Sequence, residues 1–170
     1  MEHLKYPVGK FIFPQSVDSQ MLKNYIETIN NFPENLSATI TTMSDHDINT
    51  PYRPEGWTAK QVIHHVADSH SHALIRFKWS LTEDKPTIKP YLEAEYAQLA
   101  DYSLPIKSAM SILNGVHIKW MTIMDNMSDE DWSKGYFHPE SQRFFRLDVA
   151  AALYDWHCRH HLAHIRLCKQ

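Results

Sequence analysis

Four long stretches of this chain repeat small or apolar side chains at helical spacing, and that periodicity limits the fold more than any other feature. The first begins near Asp18, a residue suited to capping a helix, and carries Met21, Leu22, Tyr25, Ile26 and Ile29. Pro33 predicts a kink or a restart, after which Leu36, Ile40 and Met43 carry the pattern on. The second runs from about residue 58 to 82, opened by a Thr58–Gln61 capping box, with Val62, Val66, Ser69, Ala73, Phe77 and Leu81 in register. The third starts after Pro105 and reaches about Met127 through Met110, Leu113, Val116, Trp120 and Met124, and the last begins near Asp148. Residues 1–17 read as an irregular arm, residues 44–56 as a long loop, and residues 93–99 as a short helix after a connector holding Pro86 and Pro90. SDEDW predicts a turn of helix and GYFHPESQRFFRL a hairpin. The sum is an all-α protein: one domain over residues 1–170, a four-helix bundle with a small β-hairpin before the last helix.

Composition removes several classes of function. Only four glycines occur, which argues against glycine-rich phosphate loops and most β-sandwiches. A formal charge of −3 without a basic stripe gives no support for nucleic-acid binding. No apolar run approaches the ~20 residues of a membrane span, and MEHLKYPVGKF has no apolar core for a secretory signal. Cys158 and Cys168 sit roughly 15 Å apart along one helix, too far for a bridge, so a cytoplasmic setting is the expectation. Cys158 reads as a core thiol. No serine elbow is present.

Most of the twelve histidines fall on two of the four helices. His64, His65, His70 and His72 lie on the second, and His157, His160, His161 and His164 on the last. The pairs 157/161 and 160/164 are both spaced i, i+4, which puts two imidazoles on one helix face about a turn apart. A third imidazole from another helix then completes a three-histidine metal site with an open position, the arrangement of a reaction centre. Spacing leaves the register open. His64 and His65 point about 100° apart, so only one can face the ion, and either last-helix pair can serve. Asp68 is a candidate to orient a ligating imidazole, or a plain surface carboxylate. His70 reads as a surface residue. His3, His46, His117 and His138 read as surface or structural histidines.

The stretches YPVGKF, TPYRPEGWTAKQVIHHVADSH, IRFK, FHPES and LYDWHCRHHLAHI resemble the DinB-like helical-bundle metalloproteins. Within them the chain is similar to the YfiT-type branch of metal-dependent hydrolases, related to bacillithiol S-transferases. The specific parts of the resemblance are the Trp-to-His step and the HxxxH of the last helix. It implies one metal ligand on the second helix at a fixed step from Trp57, which lands on His65, and two on the last helix, which match His157 and His161. It also implies Zn²⁺ or Ni²⁺ as cofactor, and a homodimer.

Three neutral imidazoles leave a divalent ion its full charge, so the pKa of a bound water is pulled far down, toward ~7, and a bound thiol is held as thiolate. Two reactions are open to such a site: hydrolysis of a small molecule, or transfer of a low-molecular-weight thiol to a small electrophile. The resemblance favours thiol transfer. A non-enzymatic binding module with a structural metal is the competing class, distinguished by a fourth protein ligand. Tyr154 and Arg159 are candidate catalytic residues beside Asp68, and Arg76 and His164 could also hold an anionic cosubstrate. For Arg76 and Arg159 an ion pair or a solvated position is the plainer expectation. Tyr52, Arg53 and Trp57 could form the site mouth, although Trp57 reads first as an anchor for its loop.

Overall fold

A computed structural model of the chain describes residues 2–169. Along it run α1 (Glu2–Lys5), α2 (Ser19–Thr41), α3 (Asp45–Asn49), α4 (Ala59–Thr82), α5 (Glu93–Tyr96), a 3-10 turn (Ala100–Ser103), α6 (Ile106–Met124), α7 (Asp129–Ser133), β1 (Gly135–His138), β2 (Arg143–Arg146) and α8 (Leu147–Leu167). The four long helices are those expected. Helix α2 packs on α6 and α8, and α4 packs on the same two, so the ring runs α2–α6–α4–α8. Consecutive long helices therefore stand either side by side or across a diagonal, and α4 and α8, the two rich in histidine, are neighbours.

Helix starts follow local chemistry. Asp18 caps α2 by accepting from the Met21 N–H, and Thr58 and Gln61 form the reciprocal box that opens α4. The core joins Ile29, Phe32 and Leu36 of α2 to Val62, Val66 and Phe77 of α4, Leu113 and Trp120 of α6, and Tyr154, Cys158 and Ile165 of α8.

Two local expectations are corrected and one is narrowed: Pro33 does not restart the helix. It lies inside α2 without ending it. Ile29, Phe32 and Leu36, buried on either side, hold the helix through the proline, at the cost of the hydrogen bond that residue 33 would donate to the Ile29 carbonyl. Residues 44–56 are not all loop, because Ser44 and Asp47 form a capping box that nucleates α3. The arm is not wholly irregular: it starts with the single turn α1, and the Trp156 indole fastens it to α8 by donating to the Gly9 carbonyl at 2.9 Å.

The hairpin is antiparallel, with Gly135 opposite Arg146. A Cβ on Gly135 would sit 1.9 Å from the Phe145 carbonyl oxygen, so only glycine fits there. The outer edge of β1 is covered by the connector, which bonds Phe137 through Pro86 and Ile88. That connector carries α5 back over the α4–α8 seam.

Candidate metal centre

The α4–α8 seam buries an unusual density of imidazole. His65 is 2% exposed, and His161 and His164 are buried beside it, with His157 partly so. Two triples of ligand atoms converge to within 4.8 Å: His65, His157 and His161, and His160, His161 and His164. Burial holds every one of these imidazoles neutral. It lowers His65 to about 4, His160 to about 3 and His164 to about 4, and takes His157 and His161 well below their ordinary range. A neutral imidazole carries one N–H and one lone pair, so its hydrogen bonds decide which nitrogen can take a cation.

One backbone carbonyl, which only accepts, settles two of these choices. His164 Nε2 lies 3.2 Å from the Lys5 carbonyl and must donate to it. His164 Nδ1 then accepts, and His161 Nδ1, 3.4 Å away, donates into it. His161 is left with a bare lone pair on Nε2, which makes no hydrogen bond among the described residues. A second chain leads inward from His157. Its Nδ1 is 3.2 Å from His70 Nε2, and His70 Nδ1 is 2.7 Å from His117 Nε2. His117 Nδ1 ends the chain in the core without a hydrogen bond of regular geometry, and the carbonyl acting on it is that of Ile29, the one left without its helical donor by Pro33. With the proton of His117 on Nδ1, the bonds run outward to inward and leave a lone pair on His157 Nε2, 3.3 Å from the Ser69 hydroxyl. The same nitrogen faces His65 Nε2 at 3.4 Å, while His65 Nδ1 is buried with no partner. The Ser69 hydroxyl can also serve His157, but no hydrogen bond among the described residues reaches His161 Nε2, whereas a cation takes all three lone pairs. The donor set therefore fits a metal, and fits it better in the first triple. His164, with both nitrogens engaged, belongs around that triple.

The other sequence candidates separate cleanly. His64 turns away, its Nε2 3.1 Å from the Leu104 carbonyl, which removes it as an alternative to His65. Asp68 does not orient a ligand: it accepts from the Tyr102 hydroxyl at 2.8 Å, on the side of α4 that meets the 3-10 turn, and desolvation raises its pKa. Arg159 pairs with Asp155 one turn back and faces the arm, away from the imidazoles. Tyr154 is buried against His157 and His70, with its hydroxyl 3.3 Å from the Ser69 carbonyl. Arg76 is neither ion-paired nor solvated: it is 8% exposed and none of the described carboxylates lies within ion-pair distance. His70 is not a surface residue but fully buried, and His117 has a partner in it. The signal for both was present in the sequence. His70 falls in the Val66–Ala73–Phe77 stripe, and His117 in the Leu113–Trp120–Met124 stripe, both core faces.

A cleft of about 420 Å³ opens over the donors. Tyr52 stacks on His164 with ring centres 3.9 Å apart, and Trp57 packs its ring against His65 at 4.9 Å, so Trp57 both anchors its loop and walls the cleft. Tyr6 and Lys5 of the arm close another side. The residue that sequence reading missed here is Glu93, at the start of α5. Its carboxylate is 3.9 Å from His65 Nε2, exposed at the rim yet flanked closely enough that desolvation, and then Glu140, raise its pKa. Cys158 is buried with its thiol pushed well up, a core thiol as expected.

Comparison with known proteins agrees with this geometry. The family model described as "DinB superfamily" matches residues 29–165. Relatives from Bacillus cereus carrying the name "Putative metal-dependent hydrolase" are 41% identical over 165 residues, covering 97% of this chain and 95% of theirs. A relative from Bacillus thuringiensis of the same description matches equally well. Among solved structures, YfiT from Bacillus subtilis, described as "a probable metal-dependent hydrolase with an unusual four-helix bundle topology", superposes with a TM-score of 0.93 at 35% identity, over 98% of this chain and 95% of that one. A mycothiol-dependent maleylpyruvate isomerase shares the fold at 15% identity and a TM-score of 0.69, over 85% of this chain and 60% of its own. No helix among the described residues is long and apolar enough to cross a membrane. With its four-helix bundle, its hairpin and a histidine cluster able to bind metal, the chain belongs to the DinB superfamily.

Proposed function

We propose that this protein is a metal-dependent hydrolase of a small molecule, with one divalent cation, Zn²⁺ or Ni²⁺, held by His65, His157 and His161. The observation that carries the reading is the set of three lone pairs. The one on His161 is fixed by a hydrogen-bond chain that ends on the Lys5 carbonyl, the one on His157 faces out of the chain through His70 and His117, and all three converge below an open cleft. A cation bound there supplies charge that lowers the pKa of a water or thiol at its open position. The chain's own residues do the rest. The inner chain through His70 and His117 keeps the proton of His157 on Nδ1, and His164 does the same for His161, so both rings are held in the ligating tautomer. Glu93 stands over His65 with a raised pKa, placed to accept a proton from the nucleophile and return it to the leaving group. Trp57, Tyr52 and Tyr6 narrow the approach and exclude bulk water.

A second reading, transfer of a low-molecular-weight thiol to a small electrophile, uses the same residues. It is supported by the size of the cleft, which has room for a thiol cosubstrate, and by a mycothiol-dependent enzyme on the same bundle. Elemental analysis of purified protein tests the centre, with one equivalent of zinc or nickel expected, and loss of it in His65→Ala and His161→Ala. A panel of activated esters and amides, run beside a thiol with a chloro-nitroaromatic, tests the reaction. Glu93→Gln should keep the metal and lose at least about tenfold in turnover, the lower end for a general base. Full metal content in His65→Ala, or turnover that survives in its absence, would overturn the assignment.

A further inference from the structure

A second cavity, of about 490 Å³, adjoins the cleft and shares with it only His157 and Glu93. On its inner wall lies Arg76, from α4, about three turns along the helix from His65. The charge of an arginine only 8% exposed is ordinarily matched by a carboxylate, because an unpaired buried charge is costly. Here what surrounds it is phenolic. Arg76 lies over the Tyr136 ring at 5.9 Å, and its charge acts also on Tyr91 and Tyr154, which burial keeps neutral. The Tyr136 and Tyr154 hydroxyls accept from the guanidinium, the Tyr154 proton goes to the Ser69 carbonyl, and no phenol cancels the charge.

We propose that this cavity is the anion subsite of the enzyme, in which Arg76 binds a carboxylate of the substrate while the reactive end reaches past His157 and Glu93 to the cation. The proposal rests on the metal-centre reading and names the substrate class for it: a small molecule with one carboxylate. The planar fork of arginine matches a carboxylate by two parallel hydrogen bonds, and a phenol hydroxyl can add a third. A single buried cation suits a monoanion. A phosphate dianion would need more positive charge, and the exposed rim holds Glu93, Glu95 and Glu140 instead, which repel a dianion more strongly and leave the neutral remainder of a monocarboxylate unopposed. The tyrosine walls also suit an apolar or aromatic body behind the carboxylate.

Benzoate and benzamide, alike in shape and different in charge, are the probes. Titration calorimetry or ligand-observed NMR with metal-free and zinc-loaded protein should show benzoate binding at least tenfold tighter than benzamide in both forms. Arg76→Gln should abolish that preference, and Arg76→Lys, which keeps the charge but not the fork, should fall between. Melting curves should show Arg76→Gln folded, since it removes an uncompensated charge. Equal binding of the two probes overturns the proposal, as does a benzoate preference that survives in Arg76→Gln or that exists only with zinc present, which would mean coordination to the metal alone. His65→Ala keeps the two readings apart: it should lose the metal and retain the benzoate preference. If wild-type protein takes up no metal and still prefers benzoate through Arg76, the metal centre fails and the anion subsite stands.

Discussion

Replacing His70 by leucine tests how the metal ligand is oriented. Leucine keeps an apolar side chain between Phe32, Trp120 and Tyr154, which ring His70, and removes both of its hydrogen bonds, the 2.7 Å contact with His117 and the 3.2 Å contact with His157. His117 Nε2 loses its donor in the core, a penalty of about 1–3 kcal/mol for an unsatisfied buried group. His157 has an escape: its proton can move to Nε2, where the Ser69 hydroxyl is 3.3 Å away. That escape relieves the metal-free protein and occupies the atom that faces His65, so a cation must drive the proton back. Loss of a hydrogen bond behind a ligating histidine typically costs 10–100-fold in metal affinity, about 1.4–2.7 kcal/mol. The assay is competition for Zn²⁺ with a chromophoric chelator, beside thermal melting of the metal-free protein. His70→Gln is the control, because its amide can accept from His157 and donate to His117, and should recover most of the affinity. The reasoning is refuted if His70→Leu melts near wild type and holds zinc within twofold of wild-type affinity.

Three further outcomes are expected. Unfolded histidines take up protons near pH 6.5, whereas His65, His117 and His164 do so only near pH 4, and His70, His157 and His161 well below the ordinary value. The unfolded state therefore binds more protons across that window, and metal-free protein should lose stability as pH falls from about 6.5 toward 4, by about 1.4 kcal/mol per unit for each fully buried ring. A melting temperature that stays flat between pH 7 and pH 5 contradicts the buried neutral cluster. Gly135→Ala forces a Cβ to within 1.9 Å of the Phe145 carbonyl oxygen and should open the hairpin, lowering stability by more than about 2 kcal/mol in urea titration; an unchanged midpoint would show that the strands can shift to make room. Burial pushes Cys158 well up and Cys168 to about 11, so neither thiol should react with a disulfide reagent at pH 8 until the protein unfolds, and rapid labelling of native protein would place one of them at the surface.

Much of the site was legible because helices repeat. The i, i+4 spacing of His157 and His161 puts them on one face, and the capping box at Thr58 marks where α4 begins; that α4 packs beside α8 comes from the tertiary structure. What misled was reading each histidine by its polarity. His70 was expected at the surface although its neighbours at helical spacing, Val66, Ala73 and Phe77, are all buried. Asp68 was expected behind a ligand because it shares a helix face with the candidate ligands, yet α4 packs against more than α8, and the 3-10 turn with Tyr102 claims that side.

By itself the sequence determined the four helices, the caps of α2 and α4, the hairpin and the two groups of imidazoles, because each depends on side chains within a few residues of one another. It left open which nitrogen of which ring is free. That choice belongs to the tertiary structure, because it is made by hydrogen bonds between segments far apart in the chain. The Lys5 carbonyl fixes His164 across 159 positions, and a carbonyl released in α2 by Pro33 acts on His117 in α6, at the end of the chain that turns His157. Arg76 shows the same division. Its charge is written in the sequence, but its lack of a carboxylate partner follows only from what α4, the hairpin and the connector pack around it.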